Sequence, residues 1–321
     1  MNRANSDTGW VRNPDGSLGW TLNPITGCLN HTDGLCKGGL FPCYAYRLAH
    51  GRLSKRYLAY DRIYEDALGY NSQRNWADPF CPRFWPSRFE DDLGICRGIF
   101  LCDMSDLFGV GIPEAWTSAV IDRIKRSSHR NRYYLLTKQP QNLPRWSPFP
   151  DNCYVGATVC NKRMADDAGF YLWEVEAGVL YISFEPLLER IPGIKFISDC
   201  EVKNKLGWLI IGACTGTKAE MTRLIEIYPE LTVMPFGSRY TAQPKIEWVR
   251  EIVGAADDTG IPVFLKDNLK SLLPIEPPFY KAEPVPLNQV NWPQKEWDWY
   301  LRQEWPGKNE KAGEVKCLSN E

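Results

Sequence analysis

Short apolar runs, each ending in a polar or glycine-containing turn and followed by a helix-like stretch, recur along this chain. They cover residues 98–106, 132–138, 153–161, 179–186, 207–216 and 261–267. Several runs are apolar at consecutive positions, which is typical of strands buried on both faces of a parallel sheet. A first strand is predicted near residues 20–23, and residues 231–236 are either an eighth strand or part of an insertion.

Helical periodicity fills two of the intervals between these runs. Pro113 opens the first helix, and Gly260 ends the second, which covers residues 244–260. The alternation of strand and helix predicts right-handed βαβ units with a parallel sheet. Because no G-x-G-x-x-G follows the first strand, the expected fold is an α/β architecture, a partial or full (β/α) barrel resembling a TIM barrel.

The chain is predicted to have one barrel domain and a tail. The barrel covers residues 1–273, with a proline- and aromatic-rich excursion at about 50–97. Residues 274–321 are expected to form an extended Pro/Trp-rich tail that packs by its tryptophans, with a disordered end from residue 307.

The composition and charge of the chain limit the class of protein and the cellular compartment that we expect. Hydrophobic residues make up 44% and charged residues 24%, the net charge is -1, and neither a leader-like apolar segment nor a membrane span is present. A global electrostatic attraction to nucleic acid or membranes is therefore excluded. We expect a cytoplasmic protein, in which the eleven cysteines serve metal binding, catalysis or packing rather than disulfides.

Polar side chains follow the predicted strands, where the chemistry of parallel α/β proteins collects. They are Asp103, Ser105, Asp106, Thr137, Lys138, Thr158, Asn161, Ser183, Glu185, Thr215, Lys266 and Asp267. Any single one of them could be a helix cap, but together they predict a functional rim. Lys138, Glu185 and Lys266 are the candidate catalytic residues. Two ammonium groups on one rim need a balancing charge, so Lys138 or Lys266 is expected to contact Glu185, Asp267 or an anionic ligand group.

A glycine-rich loop after the first strand holds Cys28, Cys36 and Cys43. The loop offers no core for packing thiols, and a cytoplasmic context argues against disulfides. Zinc bound by the three thiolates and His31, or an iron–sulfur cluster bound by the thiolates alone, are the remaining alternatives. The spacing of the three cysteines does not distinguish a zinc site from an iron–sulfur cluster. Cys102, Cys153, Cys160 and Cys214 lie in or beside apolar strands and are predicted to be core thiols.

A resemblance to a known family favours the iron–sulfur cluster over zinc. The segments NPITGC, CYAYRLAHGRL, FLCDMSDLFG, YYLLTKQP, VGATVCN, YISFEPLLERI and LIIGACTG occur in the order found in the phage-associated three-cysteine-motif family. That family is radical-SAM-like and distantly similar to spore photoproduct lyase. The resemblance covers roughly residues 18–273. It implies a radical-SAM type of barrel and a [4Fe-4S] cluster on Cys28, Cys36 and Cys43.

The same resemblance implies an activity and further contacts. It implies reductive cleavage of S-adenosylmethionine, hydrogen abstraction from an unknown substrate, and an electron donor such as flavodoxin or ferredoxin. Tyr44 is expected near the adenine, and Ser105 and Asp106 near the methionine amino group. Asn161 and Glu185 are expected near ribose or substrate. His31 is expected not to be a ligand.

The chain departs from the family pattern in its cysteine spacing. Radical-SAM proteins usually hold the cysteines as C-x3-C-x2-C, whereas here seven and six residues separate them. An alternative is therefore a non-catalytic zinc- or cluster-stabilised binding protein of phage or mobile-element origin. For either function a nucleic-acid partner would need a local basic strip. Arg83, Arg88, Arg130 and Arg132 are candidates for it, but a solvated arginine-rich surface is the favoured interpretation of these residues.

Overall fold

A computed structural model describes residues 1–4, 8–59, 77–192, 206–272 and 301–306. The strands in these residues are β1 (Asn2–Arg3), β2 (Trp20–Leu22), β3 (Ile25–Thr26), β4 (His31–Thr32), β5 (Leu35–Cys36), β6 (Arg83–Phe84), β7 (Gly98–Leu101), β8 (Arg132–Thr137), β9 (Cys153–Thr158), β10 (Val179–Phe184), β11 (Leu206–Ile211), β12 (Cys214–Gly216), β13 (Thr232–Phe236), β14 (Arg239–Gln243) and β15 (Val263–Leu265). The helices are α1 (Tyr44–His50), α2 (Ser54–Leu58), α3 (Pro86–Phe89), α4 (Glu114–Arg126), α5 (Lys162–Tyr171), α6 (Lys218–Ile227) and α7 (Ile246–Thr259). Short 3-10 helices lie at Pro140–Asn142, Pro144–Trp146, Leu172–Glu174 and Asp267–Leu272.

The main sheet has eight strands in the order β1-β2-β7-β8-β9-β10-β11-β15. Every neighbouring pair is parallel except β1 with β2. The six apolar runs and the strand after residue 19 are thus confirmed as neighbours in one parallel sheet. The order is open: among the described residues β15 does not pair with β1 or β2. The fold is mixed α/β, and closure into a full barrel is not observed.

The two faces of the sheet are packed differently. On one face, α4, α5 and α7 cover a large aliphatic core through side chains such as Trp116, Met164 and Val253. The other face, here called the aromatic face, takes one large ring from each of six adjacent strands. These rings are Phe100, Tyr134, Tyr154, Tyr181, Trp208 and Phe264. Because both faces are buried, the strands are apolar at consecutive positions.

Two terminal segments cover the aromatic face. Trp10 packs on Phe100 with ring centroids 4.8 Å apart, and Trp305 packs on Phe264 at 5.1 Å. The Trp305 indole N–H donates to the Trp10 carbonyl over 3.0 Å. Residues 302–304 also hydrogen-bond to β15, the edge strand. The rest of the predicted tail, residues 274–300 and 307–321, lies outside the described residues, as do residues 60–76 of the predicted excursion.

Residues 231–236 do not add an eighth parallel strand. β13 pairs antiparallel with β14, which pairs with β12, to form a separate three-stranded sheet. This sheet is an insertion between β11 and α7. The predicted helices are confirmed as Glu114–Arg126 and Ile246–Thr259, and Gly260 ends the second in the left-handed conformation with φ +71°. No helix in the described ranges is both long and apolar enough to cross a membrane.

Candidate metal centre at the carboxyl edge of the sheet

The interval between Cys28 and Cys36 folds as a β-hairpin. β4 pairs antiparallel with β5, placing His31 opposite Cys36 and Thr32 opposite Leu35. Asp33 (φ +49°) and Gly34 (φ +82°) form the turn. Two successive left-handed residues are what a type I′ hairpin requires, and Asp-Gly is among its preferred sequences. The extra residues between the first two cysteines are therefore folded structure.

The interval between Cys36 and Cys43 is a tight loop that returns to the same hairpin. The Cys36 N–H donates to the Phe41 carbonyl over 2.9 Å, and the Leu40 N–H donates to the Cys36 carbonyl over 2.7 Å. The Cys43 N–H then donates to the Gly34 carbonyl over 2.8 Å. Cys36 and Cys43 are thereby fixed on adjoining segments.

Each of the three sulfurs has a backbone N–H directed at it. The Asn30 N–H donates to the Cys28 sulfur over 3.2 Å. Cys43 is the N-cap of α1, where its sulfur accepts the Tyr46 N–H over 3.5 Å. The Gly38 N–H donates toward Cys36 and works to lower its pKa. Such donors stabilise thiolates and are used to tune iron–sulfur clusters.

The three thiols are free and close enough to influence one another electrostatically. Burial raises the pKa of Cys28 to about 12, and the charges of Asp106, Cys43 and Cys36 add to this effect. Burial also raises the pKa of Cys36, whereas the nearby Lys138 ammonium opposes that rise. The loop thus brings Cys36 and Cys43 near Lys138, and it brings Cys28 near these two thiols and Asp106.

Polar side chains from neighbouring elements hold the backbone of this loop. The Ser105 hydroxyl donates to the Gly27 carbonyl over 2.6 Å, and the Asn161 side-chain amide donates to the Gly38 carbonyl over 2.8 Å. The Tyr228 hydroxyl donates to the Gly39 carbonyl over 2.9 Å. The Tyr44 hydroxyl donates to the Asp103 carbonyl. These bonds join the loop to the ends of β7 and β9 and to the insertion.

A salt bridge makes a further connection between the loop and the insertion. Arg47 of α1 donates to both carboxylate oxygens of Glu220 at 3.1 and 2.9 Å. Glu220 also forms a capping box with Thr217 at the start of α6. Tyr228 and this ion pair escaped the sequence prediction because their partners are more than 170 residues away along the chain.

Asp106 is buried and has both carboxylate oxygens occupied. One accepts the Thr137 hydroxyl over 2.7 Å, and the other accepts the Lys138 backbone N–H over 3.0 Å. Asp106 therefore ties the end of β7 to the end of β8. Burial works to lower the pKa of Lys138, but the interactions of its ammonium with Cys36, Cys160 and Asp106 outweigh burial and raise that pKa to about 12.

The aromatic face becomes polar at the carboxyl ends of its strands. Successive side chains of a strand point to opposite faces, so residues two or four positions after a ring of the aromatic face lie on that same face. Counting in this way from Tyr134, Tyr154, Tyr181 and Phe264 places five polar side chains on it. They are Lys138, Thr158, Ser183, Glu185 and Lys266. The register is consistent, because Ser183 pairs with Thr158 and Thr137 pairs with the preceding residue, Ala157. The expected common edge for Ser105, Lys138, Asn161, Glu185 and Lys266 is confirmed by the parallel strand order.

Lys266 is buried and forms an ion pair with Glu185, which confirms the expected contact between a rim lysine and a carboxylate. Gly212 lies directly against this ion pair. A Cβ at position 212 would lie 3.0 Å from Lys266 Cδ and 3.2 Å from Glu185 Cγ. The Thr158 hydroxyl and, within the aromatic face, the Tyr181 hydroxyl are buried without a hydrogen-bond partner within the described chain. Unpaired buried hydroxyls are costly and favour a site that takes a polar ligand.

Three thiolates are a donor set that both a zinc ion and an iron–sulfur cluster can take. Tetrahedral zinc with bonds of about 2.3 Å would hold thiolates about 3.8 Å apart. Within the described ranges no three His, Cys, Asp or Glu side chains are grouped closely enough to hold one metal ion. A cubane cluster binds each thiolate through a different iron, so its ligands stand farther apart.

The His31 side chain makes contacts within the hairpin and with two aromatic rings. Its ring packs against Tyr46 and Phe80 with centroids 5.0 and 5.3 Å away, and its Nδ1 accepts the Gly34 N–H over 3.4 Å. Burial lowers the pKa of His31, while Asp78 works against that shift. The predicted core thiols Cys102, Cys153, Cys160 and Cys214 are all confirmed as buried and free.

The four arginines considered as a basic strip differ in burial and contacts. Arg83 is buried and donates to the carbonyls of Pro79 and Cys81 at 3.1 and 2.7 Å. Arg88 stacks on Trp85 at 4.2 Å, and Arg132 lies over Tyr154 at 5.0 Å. Arg83 therefore cannot contribute to an exposed strip, whereas Arg88 and Arg132 are half-buried and Arg130 is exposed.

A profile described as "Protein of unknown function (DUF5131)" matches residues 16–224. The chain belongs to this family. The matched part includes all three loop cysteines and the strand ends as far as Thr215, but not Lys266. No curated protein matches the chain.

Solved structures of spore photoproduct lyase resemble this DUF5131 protein. The complex with dinucleoside spore photoproduct has 13% identity and a TM-score of 0.42. A tyrosine-to-phenylalanine variant has 12% identity and a TM-score of 0.43. Both alignments cover 80% of this chain and 78% of the lyase. A similarity this loose does not transfer an activity, substrate or cofactor to this chain.

Proposed function

We propose that this protein is a radical-SAM-type enzyme that holds a [4Fe-4S] cluster on Cys28, Cys36 and Cys43. It would use S-adenosylmethionine to abstract hydrogen from a substrate, for which nucleic acid is one candidate class. The observation that carries the proposal is the set of three free thiols at the carboxyl edge of the parallel sheet, each with a backbone N–H directed at its sulfur.

A three-thiolate set suits this chemistry because it leaves one iron of a cubane for an outside ligand. When bound, the cluster would supply the electron that cleaves S-adenosylmethionine. The protein would orient the reactants and exclude water. His31 is proposed to stay outside the ligand set, since its ring packs with Tyr46 and Phe80.

The polar end of the aromatic face is proposed to bind the reactants. Lys138 would accept an anionic group of cofactor or substrate, because its ammonium lies near the loop thiols. Glu185 and Lys266, already paired, would orient the substrate, and the unpaired Thr158 hydroxyl would donate to it.

The other predicted cofactor contacts are proposed to act mainly through the loop. Ser105 and Asn161 hold the Gly27 and Gly38 carbonyls and so position the cysteines. Asp106 would position Lys138, whose backbone N–H it accepts. The Tyr44 ring is 45% exposed and is proposed to lie against the adenine.

The test is reductive cleavage by anaerobically reconstituted protein. We expect dithionite-dependent release of 5′-deoxyadenosine, abolished in Cys36→Ala and retained in His31→Ala. Lys138→Ala should reduce the rate more than Lys138→Arg, because arginine keeps the positive charge. A colourless protein that carries one zinc and releases no 5′-deoxyadenosine would reject the enzyme and favour the binding protein.

A further inference from the structure

Four arginines meet at the amino-terminal edge of the main sheet, the edge opposite the loop cysteines. Arg97 directly precedes β7, Arg132 begins β8, and Arg3 and Arg12 come from the N-terminal segment. We call Arg3, Arg12, Arg97 and Arg132 the arginine cluster. β8 has six residues and is therefore about 20 Å long. A ligand held by this cluster would thus lie far from the thiols.

Hydrogen bonds join three members of the cluster to one another. The Arg132 backbone N–H donates to the Arg97 carbonyl over 2.7 Å. The Arg132 guanidinium also donates to the Tyr134 hydroxyl over 3.4 Å, and that hydroxyl donates to the Arg12 carbonyl over 3.0 Å. Arg12, Arg97 and Arg132 therefore lie side by side at the beginning of the strands.

Arg3 joins the cluster through an indole ring that it shares with Arg97. Their guanidinium carbons lie 4.8 and 4.9 Å from the Trp20 ring centroid, so the two positive charges are at most about 10 Å apart. Arg3 also donates to the Leu18 carbonyl over 2.8 Å, but a neutral acceptor leaves its charge unbalanced. Stacking occupies the flat face of a guanidinium group and leaves N–H groups at its edge for a ligand.

The positive charge of the cluster is not neutralised by the described part of the chain. None of its four members forms an ion pair with a carboxylate there. Asp15 lies near Arg3 but accepts its hydrogen bonds from a serine two residues away. Asp92 accepts the Gly94 N–H over 2.8 Å, and Gly94 lies against the Arg97 guanidinium. Four arginines and these two aspartates still leave a charge of +2.

Arg12 gives independent evidence for an anionic partner. Its Nε is buried and has no hydrogen-bond partner among the residues that the structure describes. Its guanidinium carbon lies 5.0 Å from the Trp305 ring centroid, so its flat face is already in contact with a ring. An unpaired buried donor is costly, and a guanidinium group pairs most strongly with a carboxylate or a phosphate. The cluster therefore has both the donors and the unbalanced charge of an anion site.

We propose that the arginine cluster binds a small ligand with two or more linked phosphate groups, such as the triphosphate of a nucleotide. Several guanidinium groups in one place match a compact polyanion, because each can donate two parallel hydrogen bonds to phosphate oxygens. A single orthophosphate would leave part of the positive charge unbalanced. The inference is independent of the proposed function, since the cluster and the thiols lie at opposite edges of the sheet.

A nucleic-acid strand is the competing occupant of a basic surface. It is held by an extended basic groove along its backbone and by aromatic faces on which its bases stack. The arginines here form one compact group instead. The rings of Trp20, Tyr154 and Trp305 already carry guanidinium groups at 4.8 to 5.0 Å. A short oligophosphate therefore suits the cluster better.

The experiment titrates the full-length protein by calorimetry at about 50 mM NaCl. The probes are inorganic tripolyphosphate, ATP, orthophosphate and a short single-stranded oligonucleotide. We expect tripolyphosphate and ATP to bind with similar micromolar affinity, and orthophosphate to bind about tenfold more weakly or less. Bound tripolyphosphate should also raise the melting temperature.

Substitutions then locate the site. Arg3→Gln with Arg97→Gln should weaken tripolyphosphate binding about tenfold or more. Arg97→Lys keeps the charge but loses the planar fork, so it should weaken binding about threefold. The matched control is Arg52→Gln with Arg56→Gln, two exposed arginines outside the cluster, which should bind like the parent protein.

The comparison of probes on the parent protein tests the inference without any variant. Absence of tripolyphosphate binding, or affinity no higher than that of orthophosphate, would overturn it. An oligonucleotide that binds more tightly than tripolyphosphate and displaces it would assign the surface to nucleic acid and overturn it as well. Parent-like binding by the cluster variant, or an equal loss in the control variant, would show that the cluster is not the site.

Discussion

At the residue scale, the side chains around the loop have roles that depend on distant partners. Asn161 was predicted as a cofactor contact from its place after a strand. It caps α5 through Oδ1, which accepts the Met164 N–H over 3.0 Å, and its Nδ2 holds the Gly38 carbonyl. The first role is readable from local sequence, whereas the second needs a contact 123 residues away.

These two roles of Asn161 can be separated by substitution. Asn161→Asp keeps the cap acceptor but loses the bond to Gly38, so we expect α5 to be preserved while the loop loosens. Amide hydrogen exchange at residues 37–40 should become faster. Asn161→Ala loses both and should cost about 1–2 kcal/mol of unfolding free energy. Unchanged exchange in Asn161→Asp would show that the bond does not restrain the loop.

Burial of Asp103, beside the site, makes the free energy of unfolding depend on pH. Burial raises its pKa from 3.8 to about 6, although the Asn23 amide donates to the carboxylate and works against this rise. The native state therefore binds this proton more tightly than the unfolded state. The stabilising effect is present below pH 4, declines as the pH rises to 6, and is absent above that.

We expect Asp103→Asn to remove this decline. A shift of about two pKa units corresponds to about 3 kcal/mol, so the variant should gain up to that amount relative to the parent between pH 4 and pH 7. Urea unfolding across this range gives the difference. A constant difference between the two proteins would mean that Asp103 does not titrate there.

At the element scale, the hairpin of β4 and β5 is what makes the wide cysteine spacing compatible with one site. Its Asp33-Gly34 turn is visible in the sequence as a hairpin signal, yet the flanking strands have only two residues each. Strands this short lack the alternation that periodicity detects. The long parallel strands, by contrast, were predictable because both of their faces are buried.

Gly34 gives a direct test of the hairpin. Its φ is +82°, and a Cβ there would lie 2.6 Å from the Tyr46 ring. Gly34→Ala should therefore destabilise the protein by more than the roughly 1 kcal/mol expected from backbone strain alone, and it should lower the bound iron per chain. Unfolding and iron analysis of the same preparation check both effects.

Gly237→Ala is the matched control for that substitution. Gly237 also has a positive φ, +56°, in a hairpin turn, but nothing lies within 4 Å of its Cβ position. We expect a loss of about 1 kcal/mol from strain with no loss of iron. Equal iron loss in the two variants would argue that general instability, and not the hairpin, controls cluster binding.

At the scale of the whole molecule, the sheet places polar strand ends on one edge, and the sequence was sufficient to predict that edge. It was not sufficient to predict which arginines are exposed. Arg83 and Arg132 look like surface residues by type, but one binds buried carbonyls and the other stacks on Tyr154. The role of residues 231–236 was also undecided, because an antiparallel insertion and an added parallel strand have the same apolar composition.

The central claim is that three loop thiols hold an iron–sulfur cluster. Iron and acid-labile sulfide are best counted per chain after anaerobic reconstitution of the parent, Cys36→Ser and Cys160→Ser. We predict about four of each in the parent and in Cys160→Ser, whose thiol is a fully buried core group, and close to none in Cys36→Ser. Equal iron in all three proteins, or one zinc and no sulfide in the parent, would contradict it.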